Sequence, residues 1–503
     1  MLNKKFLKVL SLITATTVAV SVAACNSSTN ESDISNETTT IVEESSSDEN
    51  DSDTNVTSEV LNTEDIVINE EMSNSNDSEH VIEVDGETAD YSNVSVVKIG
   101  DSDQGDKADF YGDNSAVFAT NGATLTLSEM VIDTNGTHAN AVFSYGEGTT
   151  VNVSDSVITT SGNCSGGIMT TGGGTMNATN LNIHTTGNSS AAIRSDRGGG
   201  TVTVNGGSYI TDGTGSPVIY STADITVNDA YLESTASQGV VVEGQNSVTL
   251  NDVTLVADNN TKNSDKSDYY QAVMIYQSMS GDADEGLASF SMTDGSLTNV
   301  NGDIFFVNNT VATITLENVE IVNQDENGVF LRAEAAGWGS EGSNGGKVNL
   351  YLVNQSVNRD IVVDEVSALN MYLTDGSTYE GIINADNEGE VYVELESGST
   401  WTLTGDSYIT SLTCDTGCIN LNGHILYVDG VAYSEGMASE GTAITLATAS
   451  SSANPTDRPD GEPPEMPDGK GGPGGDGNQP PEKPDGNGGP DGDGNEPPAR
   501  PED

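Results

Sequence analysis

Two arginines fall within four residues at Arg194-Ser195-Asp196-Arg197, in a chain with only 16 basic residues among 503. Paired guanidinium groups grip a carboxylate or sulfate through parallel hydrogen bonds, so one reading of the tetrad is an anion clamp. The plainer reading, which carries more weight, is an ion pair of Arg194 with Asp196 or Glu243 that fixes a turn. Gly198 to Gly200 follow, but no helix opens there, so this is no phosphate loop. Tyr269, Tyr270 and Trp338 lie in insertions. Aromatic rings beside a groove are what a sugar face stacks on, while amides and carboxylates take its hydroxyls. A lone Trp in a Gly-rich loop also serves as a packing plug. Glu243, Asp364 and Arg332 form the one trio with the types a polysaccharide lyase needs: carboxylates for Ca²⁺ and a basic residue for the proton. The expected ligand-binding set is Arg194, Asp196, Arg197, Tyr220, Glu243, Tyr269, Tyr270, Arg332 and Trp338. No catalytic set is expected, and four scattered histidines suggest no metal site. Cys164 has no evident mate, and for Cys414 and Cys418 a small loop disulfide and two thiols are both open.

A repeat positions these residues. Short alternating strands end on Leu127, Val153, Ala178, Val204, Val227, Leu250, Met292, Leu316, Leu350, Leu373 and Leu403, with partners two residues earlier such as Leu125, Val151, Val202, Val348 and Trp401. The unit of roughly 25 residues is too short to bury its own apolar face, so units must stack as a solenoid. Period-2 alternation, as in Thr201-Val202-Thr203-Val204, marks strands, and abundant Gly, Asn, Ser and Thr disfavour helix. Each unit holds three such segments. The expected fold is all-β, a right-handed single-stranded parallel β-helix of roughly a dozen rungs about 4.8 Å apart. A polar corner column follows the second strand: Glu129, Asp155, Asn180, Gly206, Asp229, Asp252, Asp294, Asn318, Asp375 and Gly405. These types tolerate the left-handed backbone of a sharp corner. A calcium-binding column is the weaker alternative.

Strand 1 of the units departs from simple alternation. Its central column reads Val117, Val142, Ile168, Ile193, Ile219, Val241, Met274, Phe305, Phe330 and Val362. The adjacent column, with Phe118, Phe143, Met169, Arg194 and Tyr220, is apolar too. One side fills the solenoid. The other is covered by residues 81–111 or the insertions, or it offers a strip to a partner. Insertions 277–286 and 333–347 leave one edge of this face and 258–271 the other, so they would wall a groove over it.

The ends read differently. Residues 1–24 carry Lys4, Lys5 and Lys8 and then a largely apolar run, the pattern of an export signal. Val22-Ala23-Ala24-Cys25 resembles a bacterial lipobox, which implies lipidation of Cys25, a membrane anchor, and residence on the extracellular face of the cell membrane. Residues 25–80 read as an acidic Ser/Thr-rich disordered tether, 81–448 as the β-helix, and 449–503 as a Pro/Gly/Asp-rich disordered tail. Formal charge is −62, from 78 acidic and 16 basic residues. A polyphosphate needs a basic face, so nucleic acid is excluded as a partner, and anionic polysaccharide is disfavoured.

Gly112-Asp113-Asn114-Ser115-Ala116-Val117, Ser190-Ala191-Ala192-Ile193-Arg194-Ser195-Asp196-Arg197-Gly198, Ser216-Pro217-Val218-Ile219-Tyr220 and Leu421-Asn422-Gly423 resemble segments of secreted right-handed parallel β-helix lipoproteins of anaerobic Gram-positive bacteria. That group is described as adhesin-like. A related-looking group with similar Pro/Gly-rich tails binds plant polysaccharides without cleaving them. The resemblance implies a surface-tethered, non-catalytic polysaccharide-binding or adhesin-like protein whose partner is a polysaccharide or cell-surface glycan. A β-helix lyase or hydrolase and a self-associating surface rod are the alternatives. The Asn-Thr-Asp, Asp-Asp, Gly-His-Gly and Arg-Ile-Lys motifs of polygalacturonases do not occur.

Overall fold

The computed structural model of the protein describes residues 60–262 and 264–446. The expected export signal, Cys25, most of the tether and the tail lie outside them. What is described is a parallel β-helix. Strand 1 of each coil joins an 11-stranded sheet, and strands 2 and 3 of most coils run together as a 21-stranded sheet. Every strand pairing within these two sheets is parallel, coil on coil. No helix among the described residues is long and apolar enough to cross a membrane.

The alternation explains the stacking. In Thr124–Ser128 the even-numbered residues face outward while Leu125 and Leu127 are buried. Leu125 sits on Val151, Val151 on Met176, and Met176 on Val202. The column continues through Ile225, Val248, Phe290 and Ile314. All of these are at most 1 % exposed. Each coil therefore contributes a slice to one shared apolar interior, which no coil could enclose alone.

The solenoid begins before the expected boundary. Glu70–Asn74 pairs with Val94–Lys98, so residues assigned to the tether form the first coil. Its strand is polar because it caps an open end, and only Met72 packs against the core. Two repeat assignments also shift. Leu352, not Leu350, aligns with Leu316 and Leu373, because Lys347–Val353 offers three inward residues, Val348, Leu350 and Leu352. Trp401 lies in Thr400–Thr402, which pairs with Thr378–Glu380 in a separate four-stranded sheet. The expected place of Trp401 and Leu403 is filled by Val393 and Leu395. Alternation identifies a strand but not the face of the solenoid it joins.

The corner column is left-handed from Glu129 to Asp375, with φ between 47° at Asp155 and 71° at Gly206. Asn354, absent from the expected column, takes the same conformation, and Gly405 does not. Corner side chains bond along the stack: Asn180 Nδ2 donates to Asp155 Oδ1 at 2.8 Å, and Asn318 Nδ2 to Asp294 Oδ1 at 2.6 Å. The opposite corner is held by buried hydroxyls. Thr160, Thr185 and Thr211 each donate to the carbonyl oxygen of a serine five residues on, which satisfies groups that burial would otherwise penalise.

In the 11-stranded sheet the inward column is Val117, Val142, Ile168, Ile193, Ile219, Val240, Val273, Phe305, Leu331 and Ile361. Val241, Met274, Phe330 and Val362 are thus one residue out of the expected register. Both faces of this sheet are apolar, so alternation cannot fix its register. The correction places Arg332 in the outward column, level with Phe306. That outward column is covered rather than bare. Helix α1 (Asp106–Tyr111) ends at Gly112 with φ 74°, which presses on Phe118 and Phe143; His80 stacks on Phe118 at 4.5 Å, and Phe118, Phe143 and Met169 form one buried cluster. A Cβ at Gly112 would come 2.7 Å from the Phe118 ring, so the chain can press this close only with glycine there. Farther along, Ala336 and Trp338 pack onto Val241, Met274 and Phe306.

Candidate functional site

Between α1 and the Trp338 loop, strand 1 stays open as two adjoining cavities. The larger, about 290 Å³, is lined by Asp109, Phe110, Cys164, Arg194, Asp196 and Asp282 among others. The smaller, about 130 Å³, is lined by Tyr269, Tyr270, Tyr276 and Trp338, with Gln238, Asn259 and Gln271. Gly215, Pro217 and Tyr220 belong to both, so the two form one groove. Its walls are α1 and the three insertions, as their exit edges require.

The insertions are held by their own bonds. Asn344 Nδ2 donates to the carbonyl oxygens of Ala336 at 2.6 Å and Trp338 at 2.8 Å, which fixes the loop that presents the indole. Trp338 meets Tyr276 edge to face at 5.2 Å. Lys262 and Lys266 place their ammonium groups 5.5 Å from the Tyr270 ring and 5.6 Å from the Trp338 ring.

Arg194 donates from Nη2 to Asp109 and to Asp196, both at 3.1 Å. The ion pair with Asp196 is the one the tetrad suggested; Glu243 takes no part in it. Burial works against the Arg194 charge, but the two carboxylates outweigh it and raise its pKa. Burial likewise opposes the Asp109 charge, and Arg194 and His138 overcome it and hold the carboxyl low. Asp196 goes the other way: burial pushes it up to about 6, against the pull of Arg194. Arg197, half exposed, does not itself line the groove; it is bonded to the lining residue Asp282 at 2.6 Å and lies 4.1 Å over the Phe110 ring. It braces the wall. The two arginines thus form no joint clamp.

Glu243 is buried beneath the floor. Tyr220 and Tyr276 both donate their phenolic hydroxyls to its Oε2, the latter at 3.0 Å. Burial, with the carboxylate beside them, raises the pKa of both phenols. Arg332 bonds Asp303 at 2.7 Å and Glu334 at 3.1 Å, with the Tyr269 ring 3.6 Å above its guanidinium. Asp364 Oδ2 accepts the Ala335 backbone N–H at 2.8 Å. Glu243, Arg332 and Asp364 each serve different partners, and no hydrogen bond or ion pair among the described residues joins them. Cys414 and Cys418 are thiols, not a disulfide.

No family model matches this chain, and neither a curated protein nor a solved structure does. The groove must be read from its own chemistry. Of the expected residues, Arg194, Asp196, Tyr220, Tyr269, Tyr270 and Trp338 line it, while Arg197, Glu243 and Arg332 support it from behind. Two polar atoms at its lining are buried without a hydrogen-bond partner: Arg194 Nη1, a donor, and Gln271 Oε1, an acceptor. Gln271, Tyr276, Asp109 and Cys164 are lining residues that sequence reasoning missed. The last has a readable signal, because it stands 26 residues after His138, one coil of the solenoid.

Proposed function

We propose that this chain is a surface-tethered, non-catalytic glycan-binding protein. The single observation that carries the reading is the groove over strand 1, with Tyr220, Tyr269, Tyr270, Tyr276 and Trp338 at one end and polar groups along its length. Ring faces remove the apolar face of a sugar from water, and partly exposed polar side chains of the lining such as Gln238, Thr261 and Ser267 take up hydroxyls. Acidic residues outnumber basic ones at the lining, with Asp109, Asp196 and Asp282 against Arg194 and Lys262, so a neutral glycan fits better than an anionic one.

Lipidation at Cys25 and the acidic segment after it would hold the solenoid away from the membrane on its extracellular face. Pairing of two copies through the outward column loses its motive, since its apolar members Phe118, Phe143, Met169, Val241, Met274 and Phe306 are already buried. The test is retention of the full chain on insoluble cellulose, pectin and immobilised host glycans. Retention on a neutral glycan supports the reading, and passage through every one of them refutes it.

A further inference from the structure

At the end of the groove away from the aromatic rings, three donor atoms of different chemistry converge. Asp109 comes from α1, His138 from a turn after Val131–Thr134, and Cys164 from the equivalent turn one coil on. One ligand atom from each lies within 4.8 Å of the other two. His138 Nδ1 is 3.2 Å from Asp109 Oδ2. His138 and Cys164 both hold left-handed backbone, φ 57° and 56°, as does Ser189 at the next place in the same column. The conformation thus belongs to the turn, which stacks successive side chains directly above one another. The donor types belong to these two residues alone. A β-branched or bulky residue would be strained there, whereas His is tolerated.

We propose that Asp109, His138 and Cys164 bind a divalent transition-metal ion of the Zn²⁺ type, leaving one coordination position open to the groove. A mixed oxygen, nitrogen and sulfur donor set suits Zn²⁺ and its neighbours, whereas Ca²⁺ and Mg²⁺ take oxygen ligands. Tetrahedral ligands at about 2.0–2.3 Å from zinc stand roughly 3.3–3.7 Å from one another. The Asp109–His138 pair, at 3.2 Å, falls just short of that range, and a side-chain rotation brings in the thiolate. Asp109 is also oriented from outside, by Asn140 Nδ2 at 3.2 Å and Arg194 Nη2 at 3.1 Å, as ligating carboxylates commonly are. The Arg194 charge opposes a second cation, and Asp109, Asp196 and the thiolate together offset it. Asp109 and Cys164 both line the larger cavity, which provides the entry path and the open position. The site does not depend on the glycan reading.

Co²⁺ is a coloured stand-in for Zn²⁺. Titrated into the full chain carrying Cys414→Ser and Cys418→Ser, it should give a thiolate-to-cobalt charge-transfer absorption that saturates at about one ion per chain and is bleached by Zn²⁺. Cys164→Ser should abolish the absorption, and His138→Gln should weaken binding by about tenfold or more. Alkylation of Cys164 in the unsubstituted chain, followed by mass spectrometry, needs no variant, and Zn²⁺ should slow it. An absorption that never saturates or that survives Cys164→Ser overturns the proposal, as does alkylation of Cys164 that is indifferent to Zn²⁺.

Discussion

Arg194 Nη2 lies 3.1 Å from Asp109 Oδ2, across 85 residues of chain, and so ties helix α1 to the strand Ile193–Ser195. Both side chains are largely buried, and among the described residues Arg194 is the one guanidinium bonded to the Asp109 carboxylate. Replacing Arg194 with Met removes the permanent cation and leaves the buried carboxylate with only His138 and Asn140 beside it. Loss of one partner of a buried pair costs about 3–5 kcal/mol. Amide hydrogen exchange in Asp106–Tyr111 should rise sharply, while exchange in Val202–Val204 stays slow. Unchanged protection of α1 would mean that the ion pair does not hold the helix.

Asp196 gives a pH signature. Its folded pKa, about 6, exceeds the usual carboxylate value, so the native state binds the proton more tightly than the unfolded chain does. Stability from this group is fully present below the unfolded value of about 4 and declines as pH rises to about 6, by roughly 3 kcal/mol in all. In chelator-treated buffer, the stability of Asp196→Asn relative to the parent should therefore increase between pH 4 and pH 7. A difference that stays flat over that range would contradict the assignment.

Leu250 is buried in the shared interior, stacked between Val227 and Met292. Leu250→Ala leaves a cavity and should cost about 2–5 kcal/mol in denaturant unfolding. The outward neighbour Thr249 provides the contrast: Thr249→Ala loses only the hydrogen bond that Ser291 donates at 3.2 Å and should cost about 1 kcal/mol or less.

How much of this was legible in the sequence depends on what each residue reports. Leu125, Val151 and Val202 announce the solenoid because alternation with a fixed repeat has only one way to bury them. Asp155 and Asp229 announce left-handed corners, and they hold φ of 47° and 53°. Val240 and Val241 carry no such information, since both faces of their sheet are apolar and a slip of one residue leaves the pattern intact. Trp401 alternates like its predecessors but joins a different sheet. Of the candidate site, Tyr269, Tyr270 and Trp338 were legible as aromatic residues on insertions that leave strand 1. Glu243 was not legible as a buried acceptor for Tyr220 and Tyr276, because that depends on stacking coils whose register the sequence left open. Asp109 was hidden for another reason: a six-residue helix carries no periodicity, and the contact of its Gly112 end with Phe118 and Phe143 is tertiary.

Glycan binding at the aromatic end of the groove is the claim on which the functional account stands. The direct measurement is affinity of the full chain for the glycan that retains it, compared with Tyr269→Ala and Tyr270→Ala together. Both residues line the cavity and lie outside the buried apolar clusters, so their loss costs the Tyr269 stacking on Arg332 and the Lys262 contact but leaves the core intact. The account predicts weaker binding by about tenfold, roughly 1.4 kcal/mol, with cooperative thermal unfolding retained and its midpoint only modestly lowered by loss of the Arg332 stacking. Equal affinity of the variant and the parent would contradict it.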